Sequence, residues 1–260
     1  MEHLQYILSA LSGILVGFSL GLVGGGGSIL AVPLMVYVIG VKSPHIAIGT
    51  SALAVAANAL AGLASHARAH NVNWRCGGAY ALAGVLGAFA GSSAGKAFDG
   101  EKLLFLFALL MVVVGALMFR QRGDAGVEGV VCNRDNFPKV GAFGFGTGAL
   151  SGFFGIGGGF LIVPGLVRST AMPIYRAIGT SLVAVSAFGL TTAFNYAVSG
   201  LIDWPVAASF ISGGVIGSVA GTAASTRLAA HKGMLSTVFA VMILFVAGYT
   251  IYRSWGALFG

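Results

Sequence analysis

Two copies of one glycine-rich apolar stretch organise this chain, and the first reads Gly21-Leu22-Val23-Gly24-Gly25-Gly26-Gly27-Ser28-Ile29-Leu30-Ala31-Val32-Pro33. The second copy lies 131 residues downstream and reads Gly152-Phe153-Phe154-Gly155-Ile156-Gly157-Gly158-Gly159-Phe160-Leu161-Ile162-Val163-Pro164. Glycine at this density weakens a helix and lets the backbone approach another group closely. Inside a membrane, such irregular backbone is tolerated only where it is buried in protein or lines a cavity.

The composition is that of a polytopic membrane protein. Of the 260 residues, 57% are hydrophobic and 8% are charged, whereas soluble domains carry about 25% charged residues. The first apolar run, 4–23, is long enough to remain as a membrane helix, so we expect no cleavable signal peptide. The net charge of +7 is scattered over loops without a basic patch. We therefore expect the lipid bilayer as a partner, and no nucleic acid.

Each half of the chain contains five apolar segments. In the first half they cover 4–23, 28–40, 46–65, 76–94 and 103–119. The second of these is short for a span, so the first pair forms either two spans or a re-entrant hairpin. We therefore expect an all-α polytopic membrane protein with about 8–10 transmembrane segments, in which each half has a glycine-broken or re-entrant hairpin.

The second half repeats the first. Residues 47–62 align with 177–192 at an offset of 130, nine of the sixteen positions are identical, and both copies contain Ala-Ile-Gly-Thr-Ser. We divide the chain into a first transmembrane repeat (1–119), a cytoplasmic linker (120–138) and a second transmembrane repeat (139–260). Because five is an odd number, the two repeats should have inverted topology in the membrane.

The positive charges orient the chain. If the segments alternate sides, four Lys and Arg residues fall on one side of the membrane and ten on the other. The side with the larger number is the cytoplasmic one, so both termini should lie outside. Cys76 and Cys132 then lie in the cytoplasm, where thiols stay reduced, and we expect them not to be bonded to each other.

The chemistry available in the middle of the membrane is neutral. All seven acidic residues lie in loops or at segment ends, and no metal-ligand cluster or nucleophile–base pair is evident. Cation carriers usually place a carboxylate in the membrane, so we expect a small anion as the substrate and no metal, cofactor or catalytic residue. Unpaired N–H groups at helix N-termini bind anions without a charged side chain, and a helix starting at each glycine cluster would present them.

The candidate substrate-binding residues are the glycine clusters, the hydroxyl residues of both Ala-Ile-Gly-Thr-Ser segments, and one asparagine in each half. The alternative is that the glycines only permit close helix packing and that the polar side chains only bond neighbouring helices. The full set is Gly24, Gly25, Gly26, Gly27, Ser28, Thr50, Ser51, Asn58, Gly155, Gly157, Gly158, Gly159, Thr180, Ser181 and Asn195.

The two glycine clusters with their trailing prolines, together with the two Ala-Ile-Gly-Thr-Ser segments, resemble the TauE/SafE family of sulfite exporters, also called the 4-toluene sulfonate uptake permease family. The resemblance covers nearly the whole chain. The clusters differ at Gly25 and Ser28, where the second copy has Ile156 and Gly159, so the two half-sites are chemically unequal.

This resemblance implies a secondary transporter in the inner membrane of a prokaryote. Its substrate would be sulfite or an organosulfonate such as sulfoacetate or a taurine-type compound, moved by alternating access. The substrate, the direction, the coupling ion (a proton or sodium) and the oligomeric state, with a homodimer as one option, stay open. An anion channel, or a carrier of a non-sulfur organic anion, is the alternative function.

Overall fold

The computed structural model describes residues 2–120, 132, 136–227, 241 and 243–253, and every regular element in these ranges is helical. The elements in chain order are α1 (Glu2–Val23), a 3-10 helix (Gly24–Leu30), α2 (Ala31–Pro33), a π-helix (Leu34–Val38), α3 (Pro44–Arg68), α4 (Trp74–Ala97), α5 (Gly100–Arg120), α6 (Phe137–Phe154), α7 (Gly159–Thr170), α8 (Ile174–Val198), α9 (Trp204–Arg227) and α10 (Ile243–Arg253).

Apolar composition and length make several of these helices membrane spans. Among the described residues, four helices are long and apolar enough to cross a bilayer: His3–Leu22, Pro44–Arg68, Tyr175–Val198 and Trp204–Ala224. The predicted all-α membrane fold is therefore confirmed. α4 and α9 both begin at a tryptophan whose side chain is mostly exposed, 58% at Trp74 and 62% at Trp204, which suits residues at a membrane interface.

Each glycine cluster forms the bend of a hairpin. In the second half, α6 runs up to Phe154, the chain turns through Gly155–Gly158, and α7 runs back beside α6 to end at Thr170, just before α8 begins. In the first half, α1 ends at Val23 and the returning arm is a mixture of 3-10, α and π turns. The first cluster is thus a 3-10 helix that follows α1 directly, and not the start of an α-helix as we expected.

The π-helix accounts for a one-residue difference between the halves. The glycine clusters are offset by 131 residues, whereas the segments after them are offset by 130, so the first half has one extra residue between the two motifs. A π turn accommodates one more residue than an α turn. Leu34–Val38 forms that turn in the first half, and α7 passes the equivalent place in the second half as a regular helix.

The two halves pack into each other through glycine. α1 lies along α9, and α4 lies along α6. A Cβ atom at Gly17 of α1 would collide with the carbonyl oxygen of Gly214 on α9, and one at Gly87 of α4 would collide with that of Phe145 on α6. Small residues allow helices in a membrane to approach this closely. Gly17 and Gly87 therefore serve close helix packing.

α3 and α8 form an antiparallel pair in the centre. The start of α3 lies beside the chain that follows α8, because the N–H of Asp203 donates a 2.9 Å hydrogen bond to Oγ1 of Thr50. The start of α8 lies beside the chain that follows α3, because the N–H of Asn73 donates a 2.9 Å bond to Oγ1 of Thr180. Opposite directions of equivalent helices support the predicted inversion of the repeats, which stays a prediction.

The cysteines differ from our expectation. Cys76 and Cys132 form a disulfide, with their Cα atoms 5.5 Å apart. Cys76 lies in the first turn of α4, and Cys132 lies five residues before α6 begins at Phe137. Because α6 packs along α4 in the same direction, the chain that leads into α6 must pass the start of α4. The expectation of two unbonded thiols was therefore wrong.

Candidate substrate site

The second glycine cluster presents the N-terminus of a helix. Gly155, Gly157 and Gly158 have φ angles of +66°, +64° and +63°, a backbone conformation that favours glycine. Gly158 is the N-cap of α7, and its carbonyl accepts the N–H groups of Leu161 at 2.9 Å and Ile162 at 3.1 Å. The N–H groups before these two have no carbonyl within the helix to bond, so the start of α7 offers donors and the positive end of a helix dipole.

This turn lies where the two halves of the chain meet. A Cβ atom at Gly157 would lie 2.8 Å from Cγ1 of Val55 and 3.2 Å from Cγ1 of Val185. Val55 on α3 and Val185 on α8 are equivalent under the 130-residue offset. Gly157 therefore lies between equivalent residues of α3 and α8, near the middle of both helices. Secondary transporters built from repeats bind substrate near the bilayer midplane, at the interface of the repeats.

Ser51 ties the turn to α3. Its Oγ donates to the carbonyl of Gly155 at 3.3 Å and of Ile48 at 2.9 Å. A Cβ atom at Gly155 would collide with the side chain of Ile48. Of the predicted hydroxyl residues, Ser51 is thus one that the structure brings to a glycine cluster.

The first glycine cluster meets the opposite half in the equivalent way. Gly24 has a φ of +74°, and a Cβ atom there would lie 2.8 Å from Cγ2 of Ile178 on α8, just as Gly155 faces Ile48 on α3. Gly27 packs on the α1 backbone at Leu20, and Ser28 is fully buried. The 3-10 helix also contains the two remaining glycines of the cluster, Gly25 and Gly26.

Ser151 is a candidate site residue that the sequence reasoning missed. It is fully buried, and its Oγ has no hydrogen-bond partner among the described residues. A Cβ atom at Gly158 would lie 2.8 Å from this Oγ, so the hydroxyl lies beside the N-cap of α7. The position directly before Gly152 in the quoted motif was the available signal. The first half has Leu20 there and Ser28 where the second half has Gly159, so each turn has one buried serine at a different position.

The remaining predicted side chains contact other parts of the bundle. Thr50 and Thr180 are near opposite ends of the central pair, where each accepts a backbone N–H from the other half. Asn58 is fully buried against Gly214, and its amide nitrogen and oxygen have no partner among the described residues. Ser181 is buried and donates to the carbonyl of Ile178 at 2.7 Å.

Asn195 belongs to a polar cluster at one end of α4 and α8. Nζ of Lys96 donates to the carbonyl of Asn195 at 3.0 Å, to its Oδ1 at 2.8 Å and to Oγ of Ser199 at 2.8 Å. The amide nitrogen of Asn195 donates to Oγ of Ser92 at 2.7 Å and of Ser93 at 3.0 Å. These bonds use all three donors of the ammonium group, so the cluster fastens the two helix ends together.

An all-helical membrane fold, with two glycine-broken hairpins beside a central antiparallel helix pair, is typical of polytopic membrane transporters. The chain belongs to the sulfite exporter TauE/SafE family, whose model matches residues 9–250.

Curated relatives cover nearly the full chain. A probable membrane transporter protein of Xylella fastidiosa (strain 9a5c) is 54% identical over 248 residues, 95% of each chain. The probable membrane transporter protein YunE of Bacillus subtilis (strain 168) is 23% identical over 271 residues, 96% of this chain and 98% of its own. No solved structure matches this chain. The family and these relatives identify a membrane transporter, as the resemblance implied.

Proposed function

We propose that this protein is a secondary transporter of small sulfur-containing anions, sulfite or an organosulfonate of the sulfoacetate or taurine type, and that it works by alternating access. The observation that carries the proposal is the turn Gly155–Gly158, which places the start of α7 at the junction of the two halves. The first N–H groups of α7 have no acceptor within the helix. The unpartnered Oγ of Ser151 lies beside it as a further donor.

Neutral donors suit such a substrate. Backbone N–H groups and hydroxyls at a helix N-terminus bind an anion without fixing it as a counter-ion would, so release on the other side costs less free energy. A sulfonate or sulfite group offers three oxygen acceptors. The name of the matching family, sulfite exporter, favours a sulfur oxyanion over a carboxylate.

Alternating access requires that the two halves move against each other. Equivalent hydrogen bonds at Thr50 and Thr180 close opposite ends of the central pair. Lys96 on α4 adds hydrogen bonds to α8 at the end of the pair where Thr50 lies. The equivalent residue in the second repeat is Thr226, which has no charge. Because the two ends are held differently, we propose that they open in different steps of a cycle around Gly157.

Ligand-dependent stability tests the substrate class. Purified protein is heated with sulfite, sulfate, taurine or sulfoacetate, and with β-alanine and malonate as carboxylate analogues of the last two. A ligand present at 100 times its Kd stabilises the folded state by about 2.7 kcal/mol. We expect a sulfur anion to raise the melting temperature more than its carboxylate analogue. A larger effect of malonate than of sulfoacetate would indicate a carrier of non-sulfur organic anions.

Flux in proteoliposomes separates the carrier from the channel. A carrier shows saturable uptake and exchange of labelled sulfite or taurine, and unlabelled substrate inside the vesicle accelerates entry. A conductance in planar bilayers far above carrier turnover would overturn alternating access. The same assay identifies the direction, because vesicles can be loaded on either side.

A further inference from the structure

A buried histidine lies beside the first glycine cluster. His66, in the last turn of α3, is only 3% exposed. Its Nε2 lies 3.4 Å from the carbonyl oxygen of Gly21 on α1, three residues before that cluster begins. A carbonyl only accepts hydrogen bonds, so Nε2 carries the hydrogen and Nδ1 carries the lone pair. Nδ1 is buried and has no partner among the described residues.

Among the described residues, no carboxylate lies at the His66 end of the bundle to keep its imidazole protonated. The carboxylates Asp99, Glu101 and Asp203 lie at the other end of the bundle, next to the starts of α5 and α9. α1 and the described side chains of α5 and α9 add no titratable group at the His66 end. The described titratable and basic side chains at that end are Arg68 at the end of α3, His70 after it, Arg75 on α4, Lys139 on α6, Arg168 on α7, and Tyr175 and Arg176 on α8.

We propose that His66 is the proton-binding group that couples anion transport to the proton gradient, and this rests on the transport function proposed above. In each cycle the Nδ1 lone pair takes one proton from water on one side and returns it on the other, so that only this N–H bond forms and breaks. While protonated, the imidazolium places a positive charge beside the first glycine cluster and favours the anion-bound state. One proton moves with one anion.

The repeat explains why a single group titrates. Position 66 is equivalent to Tyr196 under the 130-residue offset. Histidine changes charge between pH 5 and 8, whereas a tyrosine hydroxyl keeps its proton there. The two half-sites therefore differ in charge when His66 is protonated, although the backbone around them is similar. This asymmetry gives a stoichiometry of one proton and not two.

The test compares His66→Gln with the wild type. The glutamine amide nitrogen stands where Nε2 stands and can still donate to Gly21, but glutamine has no group that titrates. His70→Asn is the matched control, because His70 is exposed and has a φ of +56°, which asparagine tolerates. Both variants and the wild type are reconstituted in proteoliposomes and given labelled sulfite or taurine, with and without a pH difference across the membrane.

For the wild type and His70→Asn we expect uphill accumulation, by up to about tenfold for each unit of pH difference. For His66→Gln we expect substrate exchange to persist while accumulation driven by the pH difference is lost. If His66→Gln still accumulates substrate to the same ratio, His66 is not the coupling group. If the wild type exchanges substrate but ignores the pH difference, proton coupling is wrong and the transport function stands. If the wild type exchanges none of the anions, the proposed function itself fails.

Discussion

Oγ1 of Thr50, two turns into α3, accepts a 2.9 Å hydrogen bond from the backbone N–H of Asp203, the residue before α9. The equivalent bond joins Thr180 to Asn73 at the same distance. Each of these threonines therefore holds the start of a helix that belongs to the other half. Such reciprocal contacts are the pattern of a two-fold relation, in which one surface meets its own copy.

Thr50→Val should destabilise the fold, because valine keeps the shape of threonine but leaves the N–H of Asp203 without an acceptor. A donor left unsatisfied in this way costs about 1–3 kcal/mol. Thr50→Ser keeps the oxygen and should stay close to the wild type. Thermal unfolding in detergent measures both. Since Thr180 lies at the other end of the pair, the double valine variant should show additive losses, within about 0.5 kcal/mol.

Gly157→Ala should abolish transport in protein that still folds and inserts. The φ of +64° there costs an L-residue about 1–2 kcal/mol, and the new methyl group would press on Val55, 2.8 Å away. Gly146→Ala on α6 is the control, since a Cβ there meets nothing within 4 Å. Uptake in proteoliposomes is normalised to folded protein. Wild-type rates for Gly157→Ala would show that the turn is only a packing device.

The central helices, the repeat and the hairpins could be predicted from the sequence, because apolar runs and matching motifs depend on local composition. α3 covers Pro44–Arg68, where the pattern predicted 46–65. The two glycine clusters have nearly the same sequence and still fold differently. The first continues α1 as a 3-10 helix, whereas Gly155, Gly157 and Gly158 take positive φ angles before α7 begins.

Contacts between distant parts of the chain were beyond sequence reasoning. The Cys76–Cys132 bond depends on α6 packing beside α4, and the Thr50–Asp203 bond on the central pair being antiparallel. The sequence made Asn58 a candidate site residue, but could not show that its side chain is buried against Gly214. The disulfide, the threonine bond and the contact of Asn58 all depend on how neighbouring helices are shifted along each other. That shift follows from side-chain packing across the two halves.

The predicted inverted topology can be tested at two equivalent loop residues. His70 follows α3 and Gly200 follows α8, and both are exposed. In a Cys76→Ser/Cys132→Ser background, an impermeant maleimide should label Gly200→Cys in intact cells and His70→Cys only after permeabilisation. This outcome follows from the excess of Lys and Arg on the His70 side. Labelling of both variants in intact cells would contradict the inversion, and the reverse result would contradict the assignment of sides.

Reduction of the Cys76–Cys132 bond should lower the melting temperature of protein purified in oxidising buffer. Disulfides typically stabilise by about 2–4 kcal/mol, largely by restricting the unfolded chain. A thiol-reactive polyethylene glycol should add nothing to the unreduced wild type and two groups after reduction. Cys76→Ser/Cys132→Ser should melt like the reduced protein and ignore the reductant. Two free thiols in the unreduced wild type would show that the bond does not form.

Asn58→Leu should raise stability and lower transport together. The buried amide has no hydrogen-bond partner among the described residues, and an unsatisfied polar group costs about 1–3 kcal/mol that a leucine of similar size would not. The equivalent residue is Phe188, which lies against Gly84 as Asn58 lies against Gly214. The second half thus fills this position with an apolar ring.

An amide retained at such a cost is expected where function requires it. Binding of sulfite by Asn58→Leu should weaken, whereas Phe188→Leu should lose only packing, about 1 kcal/mol of unfolding free energy, and keep its affinity. Thermal melts with and without sulfite measure both quantities in one experiment. If Asn58→Leu is less stable than the wild type and binds sulfite equally well, the amide serves packing between α3 and α9, and the anion is held by the glycine turn alone.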